Sequence, residues 1–429
     1  MGSLLAPDPP IDEANALEPE ALMRRYARSH ALFENARAII PGGIHLSGRP
    51  LVDPATTPMY FESAQGCRIR DVDGHEYIDY LMAFGAIFIG YARPEIERAA
   101  HEQATRGRLL SMNHPLHVRF IETLVARFPG AEMGTFFRSG SEATTAAVRI
   151  ARRHTGRRCV ARSGYHGWHD WCLPLEPFVP AGLDEQVAEF QASDPASLAA
   201  VLERYQGQIA AVIVAPEMVL PFDPAVLREL RRLAHAHGAV FIMDEVKTAL
   251  RIAPGSIAER IGLIPDLLTA SKALGNGFAV AIVVGKREIM RAGDGMHYSA
   301  TFHGDTSGMA AALETIRLID ELEAQAHAEA LGQMLIDGLN ALVARHRVQA
   351  IAYGEPLPAM PFLRFTNPDP AENARAIETF YRGMLLRGVL LHPRHMWFIS
   401  AAHTRADITA TLQAVEATFA ALAPRGADR

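Results

Sequence analysis

Two charged residues of types that can do chemistry end the apolar runs in the stretch from Phe241 to Gly285. Asp244 closes F-I-M-D, and Lys272 closes P-D-L-L-T-A-S-K. Each run has the length and apolarity of a buried parallel strand. In an open α/β sheet the carboxyl ends of parallel strands line the ligand crevice, so an acid and an amine at two such ends face one bound molecule. That molecule needs a cationic group for the carboxylate and an electrophilic carbon for the amine. Taken singly, Asp244 also fits a helix cap and Lys272 a solvated surface position, and other parts of the chain have to separate these readings.

Two more motifs do so. Ser139-Gly140-Ser141-Glu142-Ala143 follows a strand-like run and opens a helix, where hydroxyls, a glycine and unpaired amides make an anion site; a serine cap backed by Glu142 is the plainer use of the same residues. Ser163-Gly164-Tyr165-His166-Gly167 sets glycines on either side of an aromatic residue, which suits a flat ring lying on a flat ligand or, equally, a core plug. Pyridoxal phosphate (PLP) has every feature these sites ask for: a phosphate, a flat ring, a ring nitrogen that an aspartate holds protonated, and an aldehyde that a lysine captures.

The elements that must position these residues are legible as alternating apolar runs and helices from about Ala83 onward, the pattern of a mostly parallel sheet covered on both faces. Strands are expected at Gly134 to Phe137, Arg158 to Ala161, Ala210 to Val214, Ala239 to Asp244, Leu267 to Ser271 and Val280 to Gly285. Helices are expected at Glu142 to His154 and Ala225 to His237. Before them lie a loose arm over residues 1–20, a helix from Ala21 to Ile40 and three short strand-like runs, Met59 to Glu62, Cys67 to Asp71 and Glu76 to Tyr80, the last two joined by an Asp73-Gly74 turn. After Thr306 come long amphipathic helix, strands at Met360 to Phe365 and Met396 to Ser400, and a last helix from Arg405 to about Leu422. The expected division is a large cofactor-binding domain over 83–305 and a small α/β domain built from both ends, 21–82 with 306–429.

With 429 residues, the chain exceeds what one core usually organises. Its net charge of −6 and lack of a basic, aromatic-interleaved face argue against nucleic acid. The longest apolar runs, such as Phe278 to Val284, are too short for a membrane span, and no basic-then-apolar leader is seen, so a cytoplasmic protein is expected. Cys67, Cys159 and Cys172 are scattered and read as reduced packing residues. The pairs His235/His237 and His166/His169 lack a neighbouring ligand pattern, so no metal is expected.

The ordered set S-G-S-E-A, G-Y-H-G, D-E-V, S-K-A-L-G-N-G and A-T-F-H-G-D-T resembles the class III PLP-dependent aminotransferases, and within them the glutamate-1-semialdehyde aminomutase-like branch. The tail L-H-P-R-H-M-W-F-I-S-A-A-H-T is similar to that of the fumonisin-amine aminotransferases of the same branch. The resemblance implies PLP fold type I, with Lys272 as the Schiff-base lysine, Asp244 on the pyridine nitrogen, Tyr165 stacked on the ring and Val246 behind it. It further implies a phosphate cup of Ser139, Gly140 and Ser141, completed by Thr301 from a neighbouring subunit and hence a homodimer with shared sites. Arg49 aligns with an arginine that holds a substrate carboxylate, and Phe84 with an aromatic at the pocket wall.

Departures from the pattern touch the substrate side: Ala215-Pro216 replaces Glu-Pro and leaves Glu217 without the usual role. Ala249 replaces a glycine, Arg138 an asparagine, and His303-Gly304-Asp305 a small-Gly-Asn run. The implied activity moves an amino group from a primary amine to a small 2-oxo acid such as pyruvate, with Trp168, Arg394 and Trp397 as further pocket candidates. An aminomutase or racemase on the same scaffold is the nearest alternative, and a non-catalytic PLP-binding module is one of another class.

Overall fold

The computed structural model describes residues 19–43, 57–172, 182, 184–354 and 356–422. The expected first helix is two helices, Pro19–Arg25 and Ala27–Arg37, because Tyr26 between them leaves helical geometry and turns fully inward, where the Tyr77 hydroxyl donates to its own at 3.3 Å. The strands β1 (Phe61–Gln65), β2 (Arg68–Asp71) and β3 (Glu76–Asp79) then form an antiparallel meander. Gly74, at φ +100, turns β2 into β3, and Asp73 beside it accepts from the Arg28 and Ser29 amides, tying the hairpin tip to the second helix.

The large sheet contains β4 (Met133–Phe137), β5 (Cys159–Ser163), β6 (Val187–Glu189), β7 (Ile209–Val214), β8 (Val240–Asp244), β9 (Leu267–Ala270) and β10 (Ala281–Gly285), in the order β4-β10-β9-β8-β7-β5-β6. β5 to β9 run parallel; β10 is antiparallel to both its neighbours. Both faces are covered, which is why these strands read as unbroken apolar runs. Alternate residues serve alternate faces. Ala211 and Ile213 pack with Ala143, Ala147 and Ile150 of the helix Gly140–Thr155, whereas Val212 and Val214 pack with Leu198 and with Leu227 and Leu230 of the helix Pro224–Ala236. The alanines on the first helix let it lie close to the strands.

β11 (Ala350–Gly354) and β12 (Pro361–Phe365) form a separate antiparallel pair, and β13 (Val389–Leu390) joins the first meander, parallel to β3 with Val389 opposite Ile78. The helix Arg405–Leu422 ends the described chain. β6, β11 and β13 are additions to the sequence reading. The expected strand Met396 to Ser400 is a correction: Trp397 N donates to Pro361 O, Phe398 N to Tyr80 O and Ile399 N to Ala359 O, so the segment alternates between partners and builds a ladder with none. No helix among the described residues is long and apolar enough to cross a membrane.

Candidate active site

Asp244 is the last residue of β8, buried at the carboxyl edge of the sheet. Its Oδ2 lies 2.7 Å from His166 Nδ1, and its Oδ1 accepts from Val246 N and Thr269 Oγ1, each at 3.1 Å. A carboxylate partner places the proton on His166 Nδ1. The imidazole stacks on Trp171 at 10° between planes, and its Nε2 is buried with no partner among the described residues.

The helix Gly140–Thr155 points its amino end at the same place. Ser139 caps it: Ser139 Oγ accepts from Glu142 N at 3.3 Å, and Glu142 Oε2 accepts from Ser139 N at 2.8 Å. The cap reading of this motif is met by Ser139 and Glu142, while Gly140 and Ser141, with Thr144 one turn on, line the cleft. Close packing requires the glycines. A Cβ on Gly140 would meet Val246 Cγ1 at 2.9 Å, and one on Gly167, which sits at φ +112, would collide with Ser141 Oγ.

Lys272 lies two residues past β9, beginning a single 3-10 turn at φ +49, a left-handed conformation that a side chain with a Cβ rarely adopts. Burial pushes its amine down to about 7; nearby Lys247 acts in the same direction, and Glu217 and Asp244 oppose it. Four residues on, Asn276 Oδ1 accepts from the Phe88 and Ile89 amides, each at 2.8 Å, so the S-K-A-L-G-N-G loop is fastened to the segment just after Phe84.

These residues line an open cleft of about 150 Å³. Six expected site residues line it: Gly140, Ser141, Tyr165, Asp244, Val246 and Lys272. So do Thr144, His166, Lys247 and Glu217, to which the sequence assigned nothing here. Glu217 Oε1 is 2.7 Å from Lys247 Nζ, both side chains being largely buried. Two departures from the family pattern find one another, Arg138 pairing with Asp305 at 2.8 Å, and a third, His303, reaches the motif residue Glu142, its Nε2 lying 3.3 Å from Glu142 Oε1.

Other expected residues are less close. Trp168 is 71% exposed beside His169, Thr301 is exposed in a turn, and Arg394 is exposed beyond His392. Trp397 is fully buried, its Nε1 donating to His392 O at 3.1 Å, and packs the core instead of a pocket wall. Arg49 lies outside the described residues. Phe84 is half-buried, its ring edge-on to His392 and His395. It belongs to four consecutive left-handed residues, Met82, Ala83, Phe84 and Gly85, at φ +45, +50, +56 and +81. Arg251 holds that turn from beneath, buried between the Phe88 and Phe398 rings, with Nη2 donating to Gly85 O at 2.7 Å and Nη1 to Ile399 O at 3.0 Å.

A helix amino end with two tight glycines fits a phosphate, a buried carboxylate fits a protonated ring nitrogen, and an amine whose basicity is pushed down to about 7 fits an aldehyde. The residues present thus suit PLP. Comparison with known proteins agrees. The family model for class III aminotransferases matches residues 52–400. The 3-aminobutyryl-CoA aminotransferase of Cloacimonas acidaminovorans is 33% identical, over 92% of this chain and 97% of its own. The glutamate-1-semialdehyde 2,1-aminomutase of Chloroflexus aggregans is 35% identical, over 93% of this chain and 99% of its own. Among solved structures, the PLP form of the FumI protein from Sphingopyxis sp. MTA144 superposes with a TM-score of 0.86 at 31% identity, covering 92% of this chain and 96% of that one. Class III aminotransferases act on amine and keto-acid substrates and are generally dimeric. The chain belongs to the class III aminotransferases and is a PLP-dependent transaminase.

Proposed function

We propose that this chain transfers the amino group of a largely apolar primary amine to a small 2-oxo acid, pyruvate by preference. The observation that carries the reading is the meeting of Lys272, Asp244 and the amino end of the helix Gly140–Thr155 in one cleft. PLP, when bound, supplies an electrophilic carbon and an electron-withdrawing ring. Lys272 Nζ holds the cofactor and moves the proton at the amine-bearing carbon, and its depressed basicity leaves a large neutral fraction at a pH where a lysine in water is fully charged. Asp244 keeps the ring nitrogen protonated, and His166 and Thr269 hold the carboxylate in place. Gly140 and Ser141 take the phosphate with Ser139 as their cap, and Val246 and Tyr165 flank the ring. Thr301 of the partner subunit completes the phosphate site, which makes the working unit a homodimer.

Phe84 and Trp168 form the apolar side of the substrate pocket. Arg49 and Arg394 are the candidate forks for the acceptor's carboxylate, since a guanidinium binds it through two parallel bonds. The test is a panel of amines with pyruvate and purified, PLP-loaded protein, following amine loss and alanine formation. Alanine formed from an apolar amine supports the reading. Isomerisation of glutamate semialdehyde with no acceptor would replace it by the aminomutase reading, to which the Chloroflexus relative gives weight.

A further inference from the structure

Among the described residues lining the cleft, Glu217 is the one whose chemistry the transamination steps above do not use and which has a buried side-chain oxygen without a hydrogen-bond partner. It sits in the one-turn helix Pro216–Met218 directly after β7, at 2% exposure, and faces the same cleft as Lys272 and Asp244. One carboxylate oxygen is satisfied by Lys247 Nζ at 2.7 Å, and the other, Oε2, is buried with no donor within reach among the described residues. A buried carboxylate oxygen without a donor is expensive, and such groups are retained where a ligand completes them.

We infer that Glu217 and Lys247 form a donor-recognition subsite, in which Glu217 Oε2 accepts a hydrogen bond from a hydroxyl on the amine substrate close to its amino-bearing carbon. Closeness follows from the shared cleft: Glu217 and Lys247 are near enough to Lys272 to act on its amine electrostatically in opposite senses. The preference for a hydroxyl follows from charge. Lys247 already neutralises Glu217, so a second ammonium would bring an unmatched charge into a buried site, whereas a hydroxyl supplies the missing donor and leaves the pair neutral. The substrate class is therefore an amino alcohol with an apolar body. This inference rests on the aminotransferase reading above and goes past it by naming a polar feature of the donor.

The experiment uses PLP-loaded enzyme with pyruvate and three amines of one chain length: an aminooctane, the amino-octanol with the hydroxyl on the adjoining carbon, and the corresponding vicinal diamine. The wild type should favour the amino alcohol over the plain amine in kcat/KM by roughly tenfold or more, as expected for a hydrogen bond to a charged group, and should also favour it over the diamine. Glu217→Gln, close in shape, should shrink the first ratio. Lys247→Met leaves Glu217 with a surplus charge and should move the preference toward the diamine. Equal use of amine and amino alcohol by the wild type overturns the subsite while leaving the aminotransferase reading intact. Failure to convert any amine overturns the reading on which it rests, and the subsite with it. The wild-type ratio decides the matter even if a variant does not fold.

Discussion

Asp244 and Asp266 are both buried acids on the same sheet, at opposite edges of neighbouring strands, and both lie within hydrogen-bond distance of a histidine. At the amino edge, Asp266 lies 2.7 Å from His235 Nε2 and accepts from Phe241 N at 2.8 Å and Lys286 Nζ at 2.6 Å. Burial alone would raise its carboxyl, but these bonds outweigh it and hold it below the usual carboxylate range. Its two side-chain partners keep one end in water, and the network closes on itself. At the carboxyl edge the bonding stays open: His166 Nε2 and Glu217 Oε2 are buried without partners among the described residues, Lys272 is depressed, and its backbone is left-handed. One acid finishes the fold; the other stands among groups whose bonding a ligand would complete.

Five substitutions would break or sharpen that contrast. Lys272→Ala should lower transamination by on the order of 10⁴-fold or more, as for removal of a covalent catalyst, with the cooperative melt retained. Substantial turnover by this variant, measured with the best amine, would move the covalent role elsewhere. Asp244→Asn should cost about 10²–10³-fold in kcat while the protein still takes up PLP, because a preorganised charge opposite the ring is lost. An Asp244→Asn enzyme as fast as its parent would sink the pairing.

Asp266→Asn should leave kcat near the parent value and instead remove about 1–3 kcal/mol of stability at neutral pH, measured by urea unfolding. The pH dependence has a definite sign. Because the folded pKa of Asp266 lies below the unfolded one, its contribution is full above the unfolded value and is lost as pH falls through the folded value. The stability gap between parent and Asp266→Asn should accordingly narrow toward acid; a gap that widens there contradicts the assignment. The smallest effect concerns the free amine. In cofactor-free protein, labelling of Lys272 by an amine-reactive reagent should titrate with a midpoint of about 7, Lys247→Met should raise that midpoint, and Glu217→Gln should lower it. A midpoint unmoved by both substitutions would mean that the pair does not sense Lys272.

The strands that end at Asp244 and near Lys272 were readable because strands covered on both faces leave unbroken apolar runs, and a charge there marks where the cover stops. Ser139 and Glu142 were readable because capping is local chemistry within one turn. His166 was quoted in its motif, but its partner Asp244 is 78 residues away, and no local pattern announces such a pair. Glu217 and Lys247 escaped for the same reason: Glu217 sits off the family position, and Lys247 has the sequence setting of any lysine just past a strand. Met396 to Ser400 is apolar enough for a strand, yet pairing depends on what lies beside it, and its amides are split between Tyr80 on one segment and Ala359 and Pro361 on another. β13 is too short to leave a periodicity.

The left-handed turn at Met82 to Gly85 has a consequence for anyone seeking a more heat-resistant form of this enzyme. Three of its four residues carry a Cβ in a conformation that costs about 1–2 kcal/mol each, a noticeable share of the roughly 5–15 kcal/mol by which a protein of ordinary stability stays folded. Glycine at Ala83 or Phe84 would relieve part of that strain, so a library screened for melting temperature alone should enrich it there. At Phe84 the gain would strip the aromatic ring that rests on His392 and His395. If Phe84 walls the substrate pocket as proposed, heat resistance and substrate choice are set against each other at a single codon, and a screen that ignores turnover would drift toward a tougher protein with a blunter pocket.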